Sequence, residues 1–227
     1  MAGVTETPLR VMVVEDDNFT RTTLCGALRN EGVRVVADIA TAEGALDAVV
    51  RLRPDAALVD LDLGGGPTGA DFVVEARRAI PTLGIVFLTS YEDPRLAGQS
   101  LDQLPTNARY LIKRDLSDAR LLAETLARSV EAAHPGTTRA ATARPLIRNS
   151  ADQLTDAQVE ILRLVADGLS NAEIARRRFV SEKSVERILL RIARELDIPT
   201  ETGSNRRVLM TREYMRMSGM PDRHGNA

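Results

Sequence analysis

Three carboxylates stand where apolar runs end, and they are the first residues of this sequence that could do chemistry together. Glu15 and Asp16 follow the run at residues 9–14, and Asp60 follows the run at residues 56–59. Apolar runs of this length, bounded by charged or glycine-rich stretches, are typical of buried strands in a parallel sheet. Because ligands bind outside the carboxyl ends of such strands, we expect the three carboxylates to converge there.

Thr89 and Lys113 add a hydroxyl and an ammonium group to this pattern, because each also follows an apolar run. Carboxylates held close together repel one another, and Mg²⁺ is the divalent cation that suits an all-oxygen site beside a phosphate. Asp60 could then attack a phosphoryl donor and form an aspartyl phosphate. The Lys113 ammonium would neutralise one phosphate oxygen, and the Thr89 hydroxyl could hydrogen-bond another. The residue types therefore indicate phosphoryl chemistry at Asp60.

The elements that must position these groups alternate in type along the first 130 residues. Five apolar runs are predicted to be strands, and helical spacing of apolar residues follows each of them. Five rounds of strand then helix predict an α/β fold, a doubly wound (βα)5 parallel sheet covered on both faces. The helix after Pro94 has the weakest pattern, because Gly98 interrupts it and Pro105 ends it. The predicted strands are residues 9–14, 33–37, 56–60, 83–88 and 108–112.

Length and composition favour two small domains. The chain has 227 residues, of which 44% are hydrophobic but only 3% aromatic, so its cores must rely on aliphatic side chains. No apolar run approaches the roughly 18 residues of a membrane-spanning helix, and no secretory signal is visible, so we expect a soluble cytoplasmic protein with no membrane partner. The single cysteine, Cys25, excludes an internal disulfide and is expected in a core. Residues 1–130 carry a net charge of −5 (14 Lys+Arg, 19 Asp+Glu) and residues 151–227 of +1 (13 against 12), which favours different partners for the two halves.

The second half carries a helix-turn-helix pattern. Residues 134–150 show no periodicity and are expected to be a linker, and every element predicted after them is a helix. A short helix, a tight turn and a longer helix begun by Ser181 are typical of this motif. Its second helix enters the major groove of double-stranded DNA, with its N-terminal residues at the base edges. The candidate DNA-binding residues are Arg176, Lys183, Ser184, Arg187 and Arg191.

The first half resembles the receiver domain of two-component response regulators over about residues 9–130. This resemblance implies a flavodoxin-like fold in which Glu15, Asp16 and Asp60 hold Mg²⁺ and Asp60 accepts a phosphoryl group from a partner histidine kinase. It further implies that Thr89 and Tyr110 form a switch pair and that Lys113 contacts the phosphate. The matching motifs are Val13-Val14-Glu15-Asp16, Pro54-Asp55-Ala56-Ala57-Leu58-Val59-Asp60-Leu61, Leu88-Thr89-Ser90 and Tyr110-Leu111-Ile112-Lys113.

The second half resembles the LuxR-type helix-turn-helix domain of NarL/FixJ response regulators over about residues 152–198. The motif Asp167-Gly168-Leu169-Ser170-Asn171-Ala172-Glu173-Ile174-Ala175, followed by Val180-Ser181-Glu182-Lys183-Ser184-Val185, carries this resemblance. It implies a four-helix domain whose last helix, after Asn205-Arg206, forms dimers. One stripe of that helix holds Met210, Tyr214 and Met217, and the pattern leaves open whether the stripe is a dimer surface or intramolecular core.

The sequence departs from both families at a few positions. Gly64 replaces the usual proline after the phosphoacceptor, residues 94–109 are irregular, and Arg114 follows Lys113 where an acidic residue or proline is common. In the predicted recognition helix, Glu186 would repel phosphate unless it accepts a hydrogen bond from a cytosine amino group. Leu190 stands where polar residues are often found. None of the departures in the first half removes a chemical group from the predicted phosphorylation site.

Together these patterns predict a homodimeric transcription factor controlled by phosphorylation of Asp60, and not an enzyme. The predicted domains are a receiver at residues 1–133, the linker at 134–150 and the helix-turn-helix domain at 151–227. One alternative is a regulator that acts without phosphorylation. Another is a haloacid-dehalogenase-like phosphatase using Asp60-Leu61-Asp62, although that motif needs Thr or Val where Gly64 stands. A third alternative is that the second half binds another protein. The simplest alternative is that its Arg-rich surface is only solvated and has no DNA partner.

Overall fold

The computed structural model describes residues 7–99, 104, 108–116, 118–134, 153–199 and 205–219. These residues form two compact units. The first unit contains residues 7–89 together with 104, 108–116 and 118–134. The second contains residues 90–99, 153–199 and 205–219.

The first unit is built on a parallel sheet with the strand order β2-β1-β3-β4-β5. The register pairs Asp60 with Leu88 and Thr89 with Ile112, so the carboxyl ends of the strands lie along one edge. Both faces of β3 and β4 are buried, which explains why their sequences are continuous apolar runs rather than alternating ones. The strands are β1 (Arg10–Val14), β2 (Arg34–Ile39), β3 (Ala56–Asp60), β4 (Gly84–Thr89) and β5 (Arg109–Ile112).

Helices cover both faces of this sheet, as the doubly wound fold predicts. Helices α1 (Asn18–Asn30) and α4 (Ala119–Ala133) share a core with β1, β3 and β4. Cys25 lies in this core, which confirms its expected role as a small buried side chain. The opposite face carries α2 (Ala42–Leu52) and α3 (Gly69–Ala79). Helix crossovers connect β1 to β2, β2 to β3 and β3 to β4, which produces this arrangement.

Gly69 sets the distance between α3 and the end of β3. A Cβ on Gly69 would lie 1.9 Å from the carbonyl oxygen of Asp60, so no other residue fits at this position without a backbone shift. The preceding residue, Thr68, caps α3 by accepting a hydrogen bond from the Asp71 amide, and the Asp71 carboxylate accepts one from the Thr68 amide. This reciprocal capping box fixes the start of α3 beside Asp60.

The second unit is a helical domain whose core is aliphatic. Its helices are α5 (Asp156–Ala166), α6 (Asn171–Arg178), α7 (Glu182–Glu195) and α8 (Arg206–Met217). Capping boxes at Thr155 and Ser170 begin α5 and α6, and Ser181 caps α7. Met210 and Met217 are fully buried in the core, so for these two residues the structure supports the core interpretation of the α8 stripe over the dimer interpretation.

The structure differs from the sequence prediction after β4. Among the described residues of the helix predicted from Pro94 to Pro105, the structure has a 3-10 turn, Pro94–Ala97, which ends where Gly98 takes a positive φ of 80°. The predicted boundaries place residues 90–99 in the first domain, whereas they pack with the second unit. Residues 135–150, which include nearly all of the predicted linker, lie outside the described residues. In the part of the chain that the structure describes, no helix has both the length and the apolar character needed to span a membrane.

Candidate functional site

The three predicted carboxylates converge at the carboxyl edge of the sheet. One oxygen from each of Glu15, Asp16 and Asp60 lies within 4.8 Å of the others. Glu15 and Asp60 are buried and Asp16 is exposed, so the cluster is open to solvent on one side only. An all-oxygen set that combines buried carboxylates with an open side fits Mg²⁺, which keeps several waters when it binds to proteins.

Lys113 joins this cluster from the end of β5. Its ammonium group donates hydrogen bonds to Glu15 Oε1 at 2.9 Å and to Asp60 Oδ2 at 2.7 Å. Two carboxylates at such close range repel each other, and a cation shared between them offsets that repulsion. The structure therefore brings together four of the groups that the sequence predicts: two metal ligands, the phosphoacceptor and the phosphate-binding lysine.

Burial dominates the titration behaviour of this pocket. Loss of solvent raises the pKa of Glu15 from its ordinary value of 4.5 to about 7, although the hydrogen bond from Lys113 works in the opposite direction. Burial also raises the pKa of Asp60, again against Lys113. Burial alone would lower the pKa of Lys113, but its hydrogen bonds and charge interactions with Asp60 and Glu15 raise it instead. When ionised, the three carboxylates carry more negative charge than one lysine compensates, which is the condition that favours a divalent cation.

The loops around the pocket are fixed by backbone contacts. Arg21, one turn into α1, donates hydrogen bonds to the carbonyl oxygens of Glu15 at 2.7 Å and Asp16 at 3.2 Å. The Asp62 amide donates to Asp60 Oδ1 at 3.2 Å. Gly64 has a positive φ of 75°, and a Cβ there would lie 3.1 Å from Asp16 Oδ2. Glycine at this departure from the family pattern therefore permits a close approach of the loop to the acidic pair.

Sequence reasoning did not identify Arg21 as part of the site. Its spacing from Asp16 is the only signal, since a side chain at this point of α1 can reach back to the loop before the helix. The Asp17 carboxylate accepts a hydrogen bond from the Thr20 amide at 2.7 Å as the N-cap of α1. This contact explains why a third acidic residue stands in the loop without joining the cluster.

The predicted switch residues lie on neighbouring strands. Thr89 is buried at the end of β4, opposite Ile112, and Ile112 directly precedes Lys113. The Tyr110 ring stacks on Phe87, with ring centroids 5.1 Å apart. The Tyr110 hydroxyl is buried and has no hydrogen-bond partner among the described residues, and burial raises its pKa. A buried hydroxyl without a partner carries a cost of about 1–3 kcal/mol.

The helix-turn-helix motif presents a basic surface on α7. Lys183, Arg187 and Arg191 are exposed and follow one another at four-residue spacing, so they share one face of the helix. Val185, Leu189 and Ile192 fill the opposite face and are buried in the core. The amphipathic pattern therefore orients the three basic side chains towards solvent and fixes them relative to the domain.

Two further candidate residues have different surroundings. Arg176 is exposed near the end of α6. Ser184 is half-buried and belongs to the cap of α7, because its amide donates to Ser181 Oγ at 3.1 Å and the two hydroxyl oxygens lie 2.8 Å apart. Glu186 is exposed beside Arg187, and Leu190 is half-buried in a groove whose lining includes both Glu186 and Leu190.

Two family models match the chain. Residues 11–125, slightly more than half of the chain, match the response regulator receiver domain. Residues 152–204 match the bacterial regulatory proteins of the luxR family. The chain is 28% identical over 206 residues to the DNA-binding transcriptional activator DevR/DosR of Mycobacterium tuberculosis, which covers 86% of this chain and 91% of that protein. It is 26% identical over 203 residues to the response regulator protein VraR of Staphylococcus saprophyticus, with 86% and 93% covered.

Solved structures share the fold. A structure of the two-component response regulator RcsB in complex with DNA aligns with a TM-score of 0.53 at 19% identity, covering 92% of this chain and 99% of that one. A structure of two RcsB dimers bound to two parallel DNAs aligns with a TM-score of 0.54 at 18% identity and the same coverage. The order of the two matched domains follows the order of the two predicted ones. The chain therefore belongs to the response regulators, with a receiver domain in its first half and a luxR-family domain in its second.

Proposed function

We propose that this chain is a cytoplasmic transcription factor whose binding to double-stranded DNA is controlled by phosphorylation of Asp60. One observation carries the proposal: the buried Asp60 carboxylate accepts a hydrogen bond from Lys113 and lies beside Glu15 and Asp16 at an edge of the sheet that is open to solvent. The same chain presents an exposed basic helix face on a helix-turn-helix motif. One protein thus combines a carboxylate that can accept a phosphoryl group with a basic helix face that can bind DNA.

In the proposed reaction, Asp60 is the nucleophile and a histidine kinase is the donor. An Asp60 carboxylate oxygen attacks phosphorus, an oxygen–phosphorus bond forms, and the phosphorus–nitrogen bond of the phosphohistidine breaks with its electron pair remaining on the imidazole. Glu15, Asp16 and Asp60 would hold Mg²⁺, which supplies the positive charge that lets an anionic donor approach an anionic acceptor. Lys113 neutralises a phosphoryl oxygen, and Thr89 donates a hydrogen bond to another. In this proposal the chain accepts the group and is not itself an enzyme.

On the DNA side, Lys183, Arg187 and Arg191 enter the major groove, Arg176 contacts phosphate, and Ser184 fixes the start of α7. The exposed positions of the four basic side chains support this assignment. DevR/DosR is described as a DNA-binding transcriptional activator, and RcsB has been solved on DNA as dimers. We infer that this chain also acts as a homodimer, because two copies of α7 are needed to read two half-sites. Met210 and Met217 do not supply that dimer surface while they remain buried.

The test is intact mass after incubation with acetyl phosphate and Mg²⁺, with Asp60→Asn as the control. We expect a gain of one phosphoryl group in the wild type and none in the variant, followed by tighter binding of promoter DNA by the phosphorylated protein. A gain that persists in Asp60→Asn would contradict the assignment of the acceptor. No gain in the wild type from acetyl phosphate or from a kinase would favour the regulator that acts without phosphorylation.

A further inference from the structure

Phe179 stands where the end of α6 needs a residue in the left-handed conformation. The Val180 amide donates to the Ala175 carbonyl oxygen at 3.0 Å, and the Phe179 amide donates to the Arg176 carbonyl oxygen at 3.4 Å. This pair of hydrogen bonds is the Schellman motif, which ends a helix with one left-handed residue, usually glycine. Phe179 has a φ of 53° and a ψ of 43°, so a bulky aromatic residue occupies that position.

The other left-handed helix ends of this unit carry residues that suit the conformation. Gly168 lies after α5 with a φ of 84°, and Gly219 lies after α8 with a φ of 70°. Asp197, after α7, has a φ of 51°, and aspartate tolerates this region because its short polar side chain can hydrogen-bond locally. Phenylalanine has a Cβ and no such polar group. The turn between α6 and α7 is therefore strained at Phe179.

Packing inside the chain does not compensate this strain. Phe179 is 95% exposed, the highest exposed fraction among the large apolar side chains that the structure describes. The next residue, Val180, is 42% exposed. Single exposed apolar residues are common on protein surfaces, but bulky ones are rare in the left-handed region. A strained residue whose side chain lies almost entirely in solvent is a candidate for contact with a partner.

The Phe179 ring lies beside the surface that binds DNA in the proposed function. Phe179 is three residues before Glu182, the first residue of α7, so their Cα atoms are at most about 10–11 Å apart. The N-terminal residues of a recognition helix lie at the base edges of the major groove, which brings the preceding turn close to the DNA. Arg176 and Lys183, on either side of the turn, are exposed and can each bind a phosphate, and Arg176 lines the same surface hollow as Phe179. Position and charge therefore favour DNA as the partner of the ring.

We propose that Phe179 contacts DNA directly, with its ring packed on an apolar group of the duplex, a thymine methyl or a deoxyribose, at the edge of the groove that α7 enters. This inference rests on the proposed function, because it needs the second unit to bind double-stranded DNA. Phenylalanine is one of the side chains that contact the thymine methyl group in the major groove. Such a contact adds affinity without neutralising a phosphate. The ring thus complements the basic side chains, whose contribution falls as the salt concentration rises.

Phe179→Gly separates a DNA contact from a structural role in the full-length protein. Glycine adopts the left-handed conformation without strain, so we expect the variant to be at least as stable as the wild type in urea denaturation. Its affinity for DNA should nevertheless fall at least about tenfold, equivalent to ~1.4 kcal/mol, because an aromatic side chain can bury about 150–250 Å² of surface. The probe is a fluorescent duplex that the wild type, treated with acetyl phosphate and Mg²⁺, selects from a random pool. Phe19→Ala, which removes an exposed ring from α1, is the control and should bind the duplex as the wild type does.

Salt dependence and base substitution identify the contact. Loss of an apolar contact changes no counterion release, so Phe179→Gly should lower the affinity by the same factor at every salt concentration and leave the salt slope unchanged. Lys183→Ala with Arg187→Ala should reduce that slope instead. Replacing the thymines of the duplex by uracil, one at a time, removes single methyl groups. A position where uracil weakens binding of the wild type but not of Phe179→Gly identifies a methyl contact, and a loss in Phe179→Gly without such a position identifies a deoxyribose contact.

Tryptophan fluorescence reports the contact directly, because the chain has no tryptophan of its own. We expect the emission of Phe179→Trp to change when the duplex is added and that of Phe19→Trp to stay the same. Equal affinity of the wild type and Phe179→Gly for the duplex would overturn the inference and leave the proposed function intact. A Phe179→Gly variant that loses stability together with affinity would indicate a structural role and would also overturn it. A wild type that selects no duplex would instead refute the proposed DNA binding, and the inference with it.

Discussion

Replacement of Glu15 by glutamine should stabilise the metal-free protein at neutral pH. Glu15 is buried, and its pKa is raised from 4.5 to about 7, so ionising it in the folded state costs free energy. The difference between the pKa of Glu15 in the folded chain and in the unfolded chain corresponds to about 3 kcal/mol, at 1.36 kcal/mol per pKa unit. Glutamine has the same shape and can accept the Lys113 hydrogen bond, but it carries no charge.

The sign of the pH dependence follows from the raised pKa. Below pH 4.5 the Glu15 carboxyl group is protonated in both states, and the variant and the wild type should have equal stability. Between pH 4.5 and about 7 the folded wild type retains a proton that the unfolded chain has lost, so its stability falls as the pH rises. The advantage of Glu15→Gln should therefore grow through this window and reach about 3 kcal/mol above it.

Urea denaturation followed by circular dichroism, at pH 4.5, 6 and 8 with a chelator present, measures this advantage. At pH 8 the midpoint of the receiver transition should rise by about 1–2 M urea. Glu31→Gln, a change of the exposed glutamate that ends α1, is the matched control and should stay within about 0.5 kcal/mol of the wild type. A destabilised Glu15→Gln at pH 8, or an advantage that does not change with pH, would refute this reasoning.

Added Mg²⁺ should reverse the order of stability of the wild type and Glu15→Gln. A ligand that binds only the folded state stabilises it according to its concentration relative to its dissociation constant. Glu15→Gln loses one of three carboxylates in the cluster, so added Mg²⁺ should stabilise the wild type more than the variant. An equal gain in both proteins would show that Glu15 is not a ligand.

Two other changes test the packing of α3 against the Asp60 pocket and the role of the basic face of α7 in DNA binding. Gly69→Ala places a Cβ 1.9 Å from the Asp60 carbonyl oxygen, so we expect a loss of at least about 1–3 kcal/mol in urea denaturation and weaker phosphorylation by acetyl phosphate. Gly65→Ala, where nothing lies within 4 Å of the added Cβ, should change neither the stability in urea nor the phosphorylation by acetyl phosphate. Lys183→Ala with Arg187→Ala should weaken DNA binding in fluorescence anisotropy and, if both contact phosphate, reduce the salt slope by about 2.

The DNA experiment needs a variant that removes the same charge elsewhere. Arg120 and Arg128 are exposed on α4, where both pair with Glu124, so Arg120→Ala with Arg128→Ala is the matched control. We expect it to leave the salt slope unchanged. Equal losses in the two double variants would indicate a response to net charge alone and would contradict the role of α7.

The pocket was predictable because its geometry follows from chain topology. Parallel strands joined by helix crossovers end at the same edge of the sheet, so apolar runs ending in Glu15 and Asp60 bring those residues together. The helix-turn-helix was predictable for a local reason: the capping residue Ser181 and the apolar spacing on α7 define a helix with one buried face. The hydrogen bond from Arg21 to the Glu15 carbonyl oxygen could not be predicted, because an arginine near a helix start has many other partners available.

The sequence by itself determined the two domain types, the succession of strands and helices along the chain and the candidate residues of both sites. These features depend on local periodicity and on the rule that parallel strands end at the same edge of a sheet. Only the tertiary structure decided which core takes Leu96 and whether Met210 and Met217 face solvent. The segment around Pro94 is too short to show a period, so its apolar residue carries no information about its partner. The burial of Leu96 depends on where Arg216, Tyr214 and Gly219 lie in the folded domain. Their positions are a property of the tertiary structure and not of the local sequence.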